Sequence, residues 1–195
     1  MEILFENRDF AVCVKPVGLD SEHETVTALK ETLGGEFYPV HRLDKNVGGV
    51  MVYARSSAAA AALSKIISQG EMAKEYVAQV HGQPPEEGVF EDLLFKDSRK
   101  NKVFVVDRLR KGVKPAKLSF QRLSCNENSL VRVRLFTGRS HQIRVQFASR
   151  GYPLLGDRKY GAKDKETAPM LYSCCITFPW KGQEMRFEQL PEWAK

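Results

Sequence analysis

The sequence lacks the features that several large classes of protein require. Its apolar runs are short, as at Ala58–Leu63, which excludes a membrane-spanning helix. The N-terminal residues Met1–Asp9 carry acid where a signal peptide carries base. We therefore expect a cytoplasmic protein with no membrane partner.

Metal and cofactor motifs are also missing. The four cysteines include no C-x-x-C pair, and the four histidines lack the spacing of a helical zinc site. Neither G-x-x-x-x-G-K-[ST] nor G-x-G-x-x-G occurs, which argues against a nucleotide-phosphate loop. We expect reduced thiols and a protein that works without metal or cofactor.

Positive charge is concentrated in the second half of the 195-residue chain, whose net charge is +6. Residues 1–95 hold eight basic and fifteen acidic side chains, whereas residues 96–117 hold nine basic and two acidic ones. A polyanion such as RNA or DNA would bind such a segment, but a solvated basic surface has the same composition. Charge alone does not decide between them.

The order of predicted elements favours an α+β fold with a largely antiparallel sheet, because strands outnumber helices and short turns join them. No repeat or linker divides the chain, so we expect one compact domain over 1–195. The patterns predict helices over 24–33, from a cap at Ser56 or Ser57 to Ile67, and over 140–149 with Ser140 as N-cap. They also predict a hairpin of strands 103–109 and 118–123 around the basic segment.

Three clusters could carry chemistry. In the first, His41–Lys45, the acid Asp44 is followed by Gly48-Gly49 and a buried strand. Arg42 and Lys45 can hold its carboxylate ionised, as a nucleophile or base requires. A turn-forming Asp in an ion pair is the plainer interpretation.

The second cluster, Thr137–Val145, contains a helix whose Ile143 must face the core. Arg144 is next to it around the helix, so its guanidinium begins near the buried face and needs a carboxylate partner. Asp44 is a candidate for that partner, unless Arg144 reaches solvent or phosphate. In the third cluster, Lys74–Tyr76, Tyr76 is either a structural strand aromatic or a ring that stacks on a base.

In this order the motifs resemble those of the RluA-type pseudouridine synthases. The resemblance runs from about residue 3 to residue 187, and each motif is weak alone. The matching segments are Val14–Gly18, His41–Lys45, Lys74–Tyr76 with Gly82, Thr137–Val145, Pro153–Asp157 and Tyr160-Gly161.

The resemblance implies a mixed β-sheet with flanking helices and two subdomains around a central cleft. It implies isomerisation of uridine to pseudouridine in ribosomal or transfer RNA, without cofactor or metal. Asp44 would be the catalytic carboxylate, attacking ribose C1′ or accepting the 2′ proton. Arg144 would pair with it, and Tyr76 would stack on the base and relay the C5 proton. Arg42 would fill the gap left by the flipped nucleotide, and Ile143 would pack near the base.

RNA contacts are expected from the basic segment and from the second cluster. These residues are Lys100, Lys102, Lys111, Lys114, Arg139 and His141. The small N-terminal RNA-binding domain of many relatives is not expected here, so this one domain would select the substrate, and we expect a monomer.

Two segments depart from the family pattern. Asn46–Gly49 stands where a Thr-Ser-Gly-like turn is usual, and Leu171–Ser173 stands where many members have Leu-His-Ala. Neither removes a proposed catalytic residue. Two other functions stay open: an RNA-binding module without catalysis, and a glycosylase or nucleoside hydrolase that releases free uracil.

Overall fold

The computed structural model describes residues 1–195. The chain forms two compact units: unit 1 comprises Met1–Lys74 with Tyr172–Trp193 and Lys195, and unit 2 comprises Glu75–Leu171 with Ala194. None of the helices has the length and apolar character needed to cross a membrane. The single-domain expectation and the cleft stay predictions.

Eleven strands and three α-helices make up the regular structure, with short 3-10 helices at Arg158–Tyr160 and Glu192–Ala194. The strands are β1 (Glu2–Glu6), β2 (Phe10–Lys15), β3 (Tyr38–Pro39), β4 (Gly48–Ala54), β5 (Ala73–His81), β6 (Glu87–Asp97), β7 (Lys102–Val106), β8 (Val113–Cys125), β9 (Asn128–Leu135), β10 (Leu171–Trp180) and β11 (Gln183–Glu188). The helices are α1 (Glu24–Leu33), α2 (Ser57–Ser68) and α3 (Gln142–Ala148).

Unit 1 is built around β4, which is buried along its whole length. Its strand order is β1-β2-β4-β10-β11, and β3 also pairs with β4. The β4–β10 pair is parallel, and the other pairs of this unit are antiparallel. Buried side chains of β2, β4, α2 and β10 form one apolar cluster, among them Phe10, Val52, Leu63 and Phe178. The mixed, mainly antiparallel α+β architecture confirms the expected fold class.

The predicted start of α2 is confirmed. The Ser56 side chain accepts a hydrogen bond from the backbone N–H of Ala59, at 3.1 Å, and so satisfies a donor that the first helical turn leaves unpaired.

Unit 2 has the strand order β5-β9-β8-β6-β7, and its β8–β9, β6–β8 and β6–β7 pairs are antiparallel. The predicted hairpin of 103–109 with 118–123 is wrong, because β6 lies between β7 and β8 and pairs with both. The β6–β7 turn explains this order. The Asp97 carboxylate accepts hydrogen bonds from the backbone N–H groups of Arg99 and Lys100, and Asn101 has a positive φ of 44°.

Helix α3 begins at Gln142, two residues later than predicted, and Ser140 does not cap it. His141 precedes the helix in the left-handed conformation, with φ 51°, and makes no side-chain capping bond. The Gln142 side chain instead accepts from Thr137 Oγ1 and from the backbone N–H of Arg139. Ile143 and Phe147 face the core as predicted, with exposed fractions of 3% and 0%.

Candidate active site

Asp44 lies in unit 1, at the first position of a tight turn between β3 and β4. Its backbone carbonyl accepts a hydrogen bond from the N–H of Val47, at 2.9 Å, which closes the turn immediately before β4 begins at Gly48. The neighbouring Leu43 is buried while Asp44 is half-buried. The turn therefore presents the carboxylate at the end of a buried strand, as the sequence predicted.

The buried ammonium group of Lys15 contacts the backbone of this turn. Lys15 is 0% exposed, and its Nζ donates to the carbonyls of Pro16 and Leu19 at 2.8 and 2.7 Å and reaches that of Lys45 at 3.4 Å. Burial lowers the pKa of Lys15 to about 8, although the negative charges of Asp20 and Asp44 act in the other direction and raise it. Lys15 thus joins the end of β2 to the turn that carries Asp44 and places a positive charge beside it.

Ser21 fixes the other side of the turn. Its hydroxyl accepts from the backbone N–H of Leu43 and donates to the Leu43 carbonyl, both at 3.0 Å. The Tyr53 hydroxyl donates to the Ser21 carbonyl at 2.9 Å, which ties the arrangement to β4. Because Ser21 and Tyr53 are buried, the backbone next to Asp44 is held in one conformation.

The two cations beside Asp44 in the sequence are directed elsewhere within unit 1. Lys45 pairs with Glu24 at 3.0 Å and Arg42 pairs with Glu22 at 3.1 Å. The Arg42 side chain is 71% exposed, so it is held by a single surface ion pair. An arginine held this weakly can turn toward a ligand at small cost.

His41 continues the β3–β4 hydrogen-bond pattern with its side chain. After Tyr38 and Pro39, which pair with β4, the backbone N–H of Val52 donates to Nε2 of His41 at 3.2 Å. Since Nε2 accepts, the ring proton is on Nδ1, which is buried without a hydrogen-bond partner. Burial lowers the pKa of His41 well below its usual range, and the charge of Lys74 lowers it further. The imidazole is therefore neutral.

Arg144, in unit 2, forms a bidentate ion pair with Asp157. Its Nε and Nη2 donate to the two carboxylate oxygens at 2.6 and 2.8 Å, and the side chains are 8% and 1% exposed. The Tyr160 ring lies 5.2 Å from the Arg144 guanidinium carbon. The sequence argument that this guanidinium is buried and needs a carboxylate is confirmed, and the residue it missed is Asp157. Its pairing with Asp44 stays a prediction.

Tyr160 joins this ion pair to the start of α3. Its hydroxyl accepts from the backbone N–H of Val103 and lies 2.9 Å from Nδ1 of His141. His141 has the left-handed conformation, and its ring contacts Tyr160 edge-on. Its predicted contact with RNA stays a prediction. The sequence predicted no role for Tyr160, although it lies in the matching segment Tyr160-Gly161.

Tyr76 lies on β5 and is 6% exposed, which fits either a core aromatic or the wall of a base pocket. Arg139 is half-buried and donates from Nε to the Pro115 carbonyl at 2.9 Å. In the basic segment, Lys100, Lys111 and Lys114 are exposed. Lys102 is half-buried, with its Nζ 5.2 Å from the Tyr160 ring centre.

The two departures from the family pattern meet in one place. In the parallel β4–β10 pair, Gly48 is opposite Tyr172 and Gly49 is opposite Ser173. Gly49 has φ 127°, and a Cβ there would lie 2.3 Å from the Ser173 carbonyl oxygen. Ser173 Oγ donates to the Val50 carbonyl at 3.0 Å. The substitutions at these two segments therefore belong to one packing arrangement behind the Asp44 turn.

The structure contains no cluster of side chains suited to binding a metal ion. No group of three or more His, Cys, Asp or Glu side chains is placed to hold an ion, and the four cysteines are thiols rather than disulfides.

Comparison with known proteins identifies the family. A model of the family described as RNA pseudouridylate synthase matches residues 9–149, a range that includes Asp44, Tyr76 and Arg144. The chain belongs to the RNA pseudouridylate synthase family.

Individual relatives agree with this membership. The chain is 36% identical to the human pseudouridylate synthase RPUSD2 over 172 residues, which cover 83% of this chain and 31% of that protein. It is 34% identical to the dual-specificity RNA pseudouridine synthase RluA of Salmonella typhimurium over 204 residues, covering 95% of this chain and 91% of that one. The chain thus spans under a third of RPUSD2 but nearly all of RluA.

Solved structures show the same fold. Human RNA pseudouridylate synthase domain containing 1 matches with a TM-score of 0.85 at 22% identity, covering 97% of this chain and 83% of that one. Human RNA pseudouridylate synthase domain containing 4 matches with a TM-score of 0.82 at 23% identity, covering 99% and 90%. The pseudouridine synthase fold expected from the motifs is confirmed.

Proposed function

We propose that the protein is an RNA pseudouridine synthase, an isomerase that converts particular uridines of ribosomal or transfer RNA to pseudouridine without a cofactor. The observation that carries the proposal is the fixed turn at Asp44. A carboxylate in a surface turn does not need Lys15 and Ser21 buried beneath it to form an ion pair. A carboxylate that must react at one ribose carbon does need this buried support. A preorganised carboxylate does not have to be oriented during the reaction, which would cost free energy.

In the proposed reaction Asp44 acts on the ribose of the target uridine. Its carboxylate attacks C1′ or accepts the 2′ proton, and the bond between C1′ and N1 breaks. The uracil turns and C5 bonds to C1′, which releases the Asp44 carboxylate or, in the second route, lets the 2′ proton return. The C5 proton is then lost to solvent and N1 takes up a proton, so the product is an isomer of the substrate. The positive character that develops at C1′ favours an ionised carboxylate, as in retaining glycosidases. Lys15 lies buried beneath the turn that carries this carboxylate.

The other site residues are assigned by the same proposal. Arg144 pairs with Asp44 while Asp157 holds its guanidinium, and Tyr76 stacks on the uracil and relays the C5 proton. Arg42 fills the space that the flipped uridine leaves in the RNA, which its 71% exposure and single ion pair permit. Ile143 packs near the base. RNA is the proposed partner, the cytoplasm the proposed location, and the monomer the proposed state.

Release of tritium from RNA labelled at C5 of uridine tests this proposal, since any conversion exchanges that hydrogen whichever uridine is the target. We expect saturating release by the wild type and none by Asp44→Asn, while RNA affinity persists because phosphate contacts dominate it. Glu31→Gln, which removes an exposed carboxylate of α1, is the matched control and should behave as wild type.

Three outcomes would contradict the proposal. RNA binding by the wild type without tritium release from ribosomal or transfer RNA would indicate a non-catalytic binding module. Appearance of free uracil would indicate a glycosylase. Activity retained by Asp44→Asn would refute the role of the carboxylate.

A further inference from the structure

A small cavity in unit 2 is bordered by three cations. Its volume is about 190 Å³, below the roughly 300–1,000 Å³ of pockets for drug-sized ligands. No carboxylate lines it. The lining residues are Leu94, Lys96, Val103, Gly112, Lys114, Gly138, Arg139 and Ser140.

Strand register puts two of these cations on the core side of the sheet. Lys96 follows Leu94 by two residues on β6, and Lys114 of β8 is directly opposite Leu94, so all three point to the same face. That face carries the buried cluster of Leu94, Val103, Ala116 and Val145. The two ammonium groups therefore stand at the margin of an apolar layer, where a lysine needs solvent or an anion.

The third cation is already oriented. Arg139 donates from Nε to the Pro115 carbonyl at 2.9 Å, and its backbone N–H donates to the Gln142 side chain at 3.0 Å. Anchored at Nε, the guanidinium keeps its terminal nitrogens for a ligand. Neither Lys96 nor Lys114 forms an ion pair with a carboxylate, so the positive charge of the cavity is not neutralised by unit 2 itself.

We propose that this cavity binds one backbone phosphate of the RNA substrate, an inference that rests on the proposed function. Three cations and the Ser140 hydroxyl supply donors to the phosphate oxygens. The apolar floor of Leu94 and Val103 suits the adjoining ribose. A phosphate bound here would fix the position of the RNA on unit 2 without reading its bases.

The double variant Lys96→Gln, Lys114→Gln tests the site. We expect Kd for substrate RNA to rise about tenfold, because the phosphate loses both ammonium groups while Arg139 and Ser140 still bind it. We also expect the salt dependence of log K to flatten by about 0.7, the value for one phosphate of single-stranded nucleic acid. Lys163→Gln, Lys165→Gln removes the same charge from exposed positions of the same unit and is the control.

A scan of RNAs that each carry one methylphosphonate identifies the contacted phosphate. Wild type should lose affinity at one position, and the double variant should be insensitive there because it has no lysines left to bind that phosphate. If the variant and the control lose equal affinity, or if the variant keeps the wild-type sensitivity at every position, the cavity is not a phosphate site.

Inorganic phosphate separates a backbone contact from a site for the free anion. An RNA backbone site predicts little thermal stabilisation by millimolar phosphate, whereas strong stabilisation of wild type but not of the double variant would assign the cavity to free phosphate and overturn the RNA assignment. Tritium release by the wild type is measured in parallel. If release occurs and the affinities are unchanged, this inference fails while the proposed function stands.

Discussion

Gly49 and Ser173 are in closer contact than any residue with a side chain would allow at position 49. A Cβ on Gly49 would lie 2.3 Å from the carbonyl oxygen and 2.5 Å from the backbone nitrogen of Ser173. These atoms belong to the only parallel strand pair in unit 1, and Asp44 lies five residues before Gly49. Close packing of two backbones therefore fixes the start of β4, where the Asp44 turn ends.

Gly49→Ala should destabilise the protein by more than about 3 kcal/mol, because the methyl group must displace backbone atoms of β10. Gly70→Ala is the matched control. Gly70 also has a positive φ, 75°, but a Cβ there meets nothing within 4 Å, so only the backbone strain of about 1 kcal/mol remains. Urea unfolding measures the free energy of unfolding of both variants. Equal decreases would show that the close contact with Ser173 does not add to the cost of Gly49→Ala.

Asp157→Asn should cost about 3–5 kcal/mol in the free energy of unfolding, because it leaves the buried Arg144 guanidinium without its carboxylate. Tritium release should fall with it if Arg144 must be oriented for the reaction. Glu166→Gln, at an exposed position nearby, provides the control in the same denaturation assay. A loss of less than about 1 kcal/mol would mean that the ion pair does not support Arg144.

The sequence predicted which residues of α3 are buried better than it predicted which residues they contact. Helical spacing correctly buried Ile143 and Arg144, and the requirement for a carboxylate followed from burial alone. Asp157 was missed because an ion-pair partner is chosen by the tertiary fold. Asp157 lies thirteen positions after Arg144, and no local periodicity spans the loop between them.

The other errors have the same origin. The strand order β8-β6-β7 depends on a side-chain turn at Asp97, so the correct strands were assigned to the wrong hairpin. Lys15 was noted only within its motif, because nothing in its neighbours shows that a lysine will be fully buried against carbonyl groups. Ser140 has the residue type of an N-cap, but the helix begins at Gln142 after a left-handed His141, so Ser140 lies one residue before the capping position.

His41 should make stability sensitive to acid. Its pKa is lowered in the folded state, so the unfolded chain binds the proton more tightly, and stability should fall as pH drops below about 6.5 toward the folded pKa. The slope is at most about 1.4 kcal/mol per pH unit for one proton. Protonation of Nε2 would also remove the acceptor for the Val52 N–H.

Comparison of wild type with His41→Gln by urea unfolding between pH 4.5 and 7.5 isolates this contribution. Glutamine can offer an oxygen to the Val52 N–H and does not titrate, so the variant should lose less stability in acid. His41→Leu, which has no acceptor, should be destabilised at every pH. Parallel pH profiles for wild type and His41→Gln would contradict the assignment of the neutral ring.

The basic segment should contribute sequence-independent RNA affinity. Replacement of Lys100, Lys102, Lys111 and Lys114 by Gln should weaken binding and reduce the salt slope by up to about 0.7 for each phosphate that the variant no longer binds. Binding titrations from low to physiological salt measure both quantities. The triple variant Lys65→Gln, Lys163→Gln, Lys165→Gln measures the effect of lost charge outside the segment. If affinity falls equally per charge in both variants, the basic segment is not part of the RNA interface.

The division of the chain also imposes an order on its synthesis. Unit 2 is essentially one uninterrupted stretch, Glu75–Leu171, whereas unit 1 needs both Met1–Lys74 and Tyr172–Trp193. A ribosome therefore releases β4 on the order of ten seconds before the strand that pairs with it in parallel. Until β10 emerges, Gly48 and Gly49 lack the parallel neighbour that β10 supplies, and a stop codon before position 171 would leave the Asp44 turn attached to an unfinished sheet.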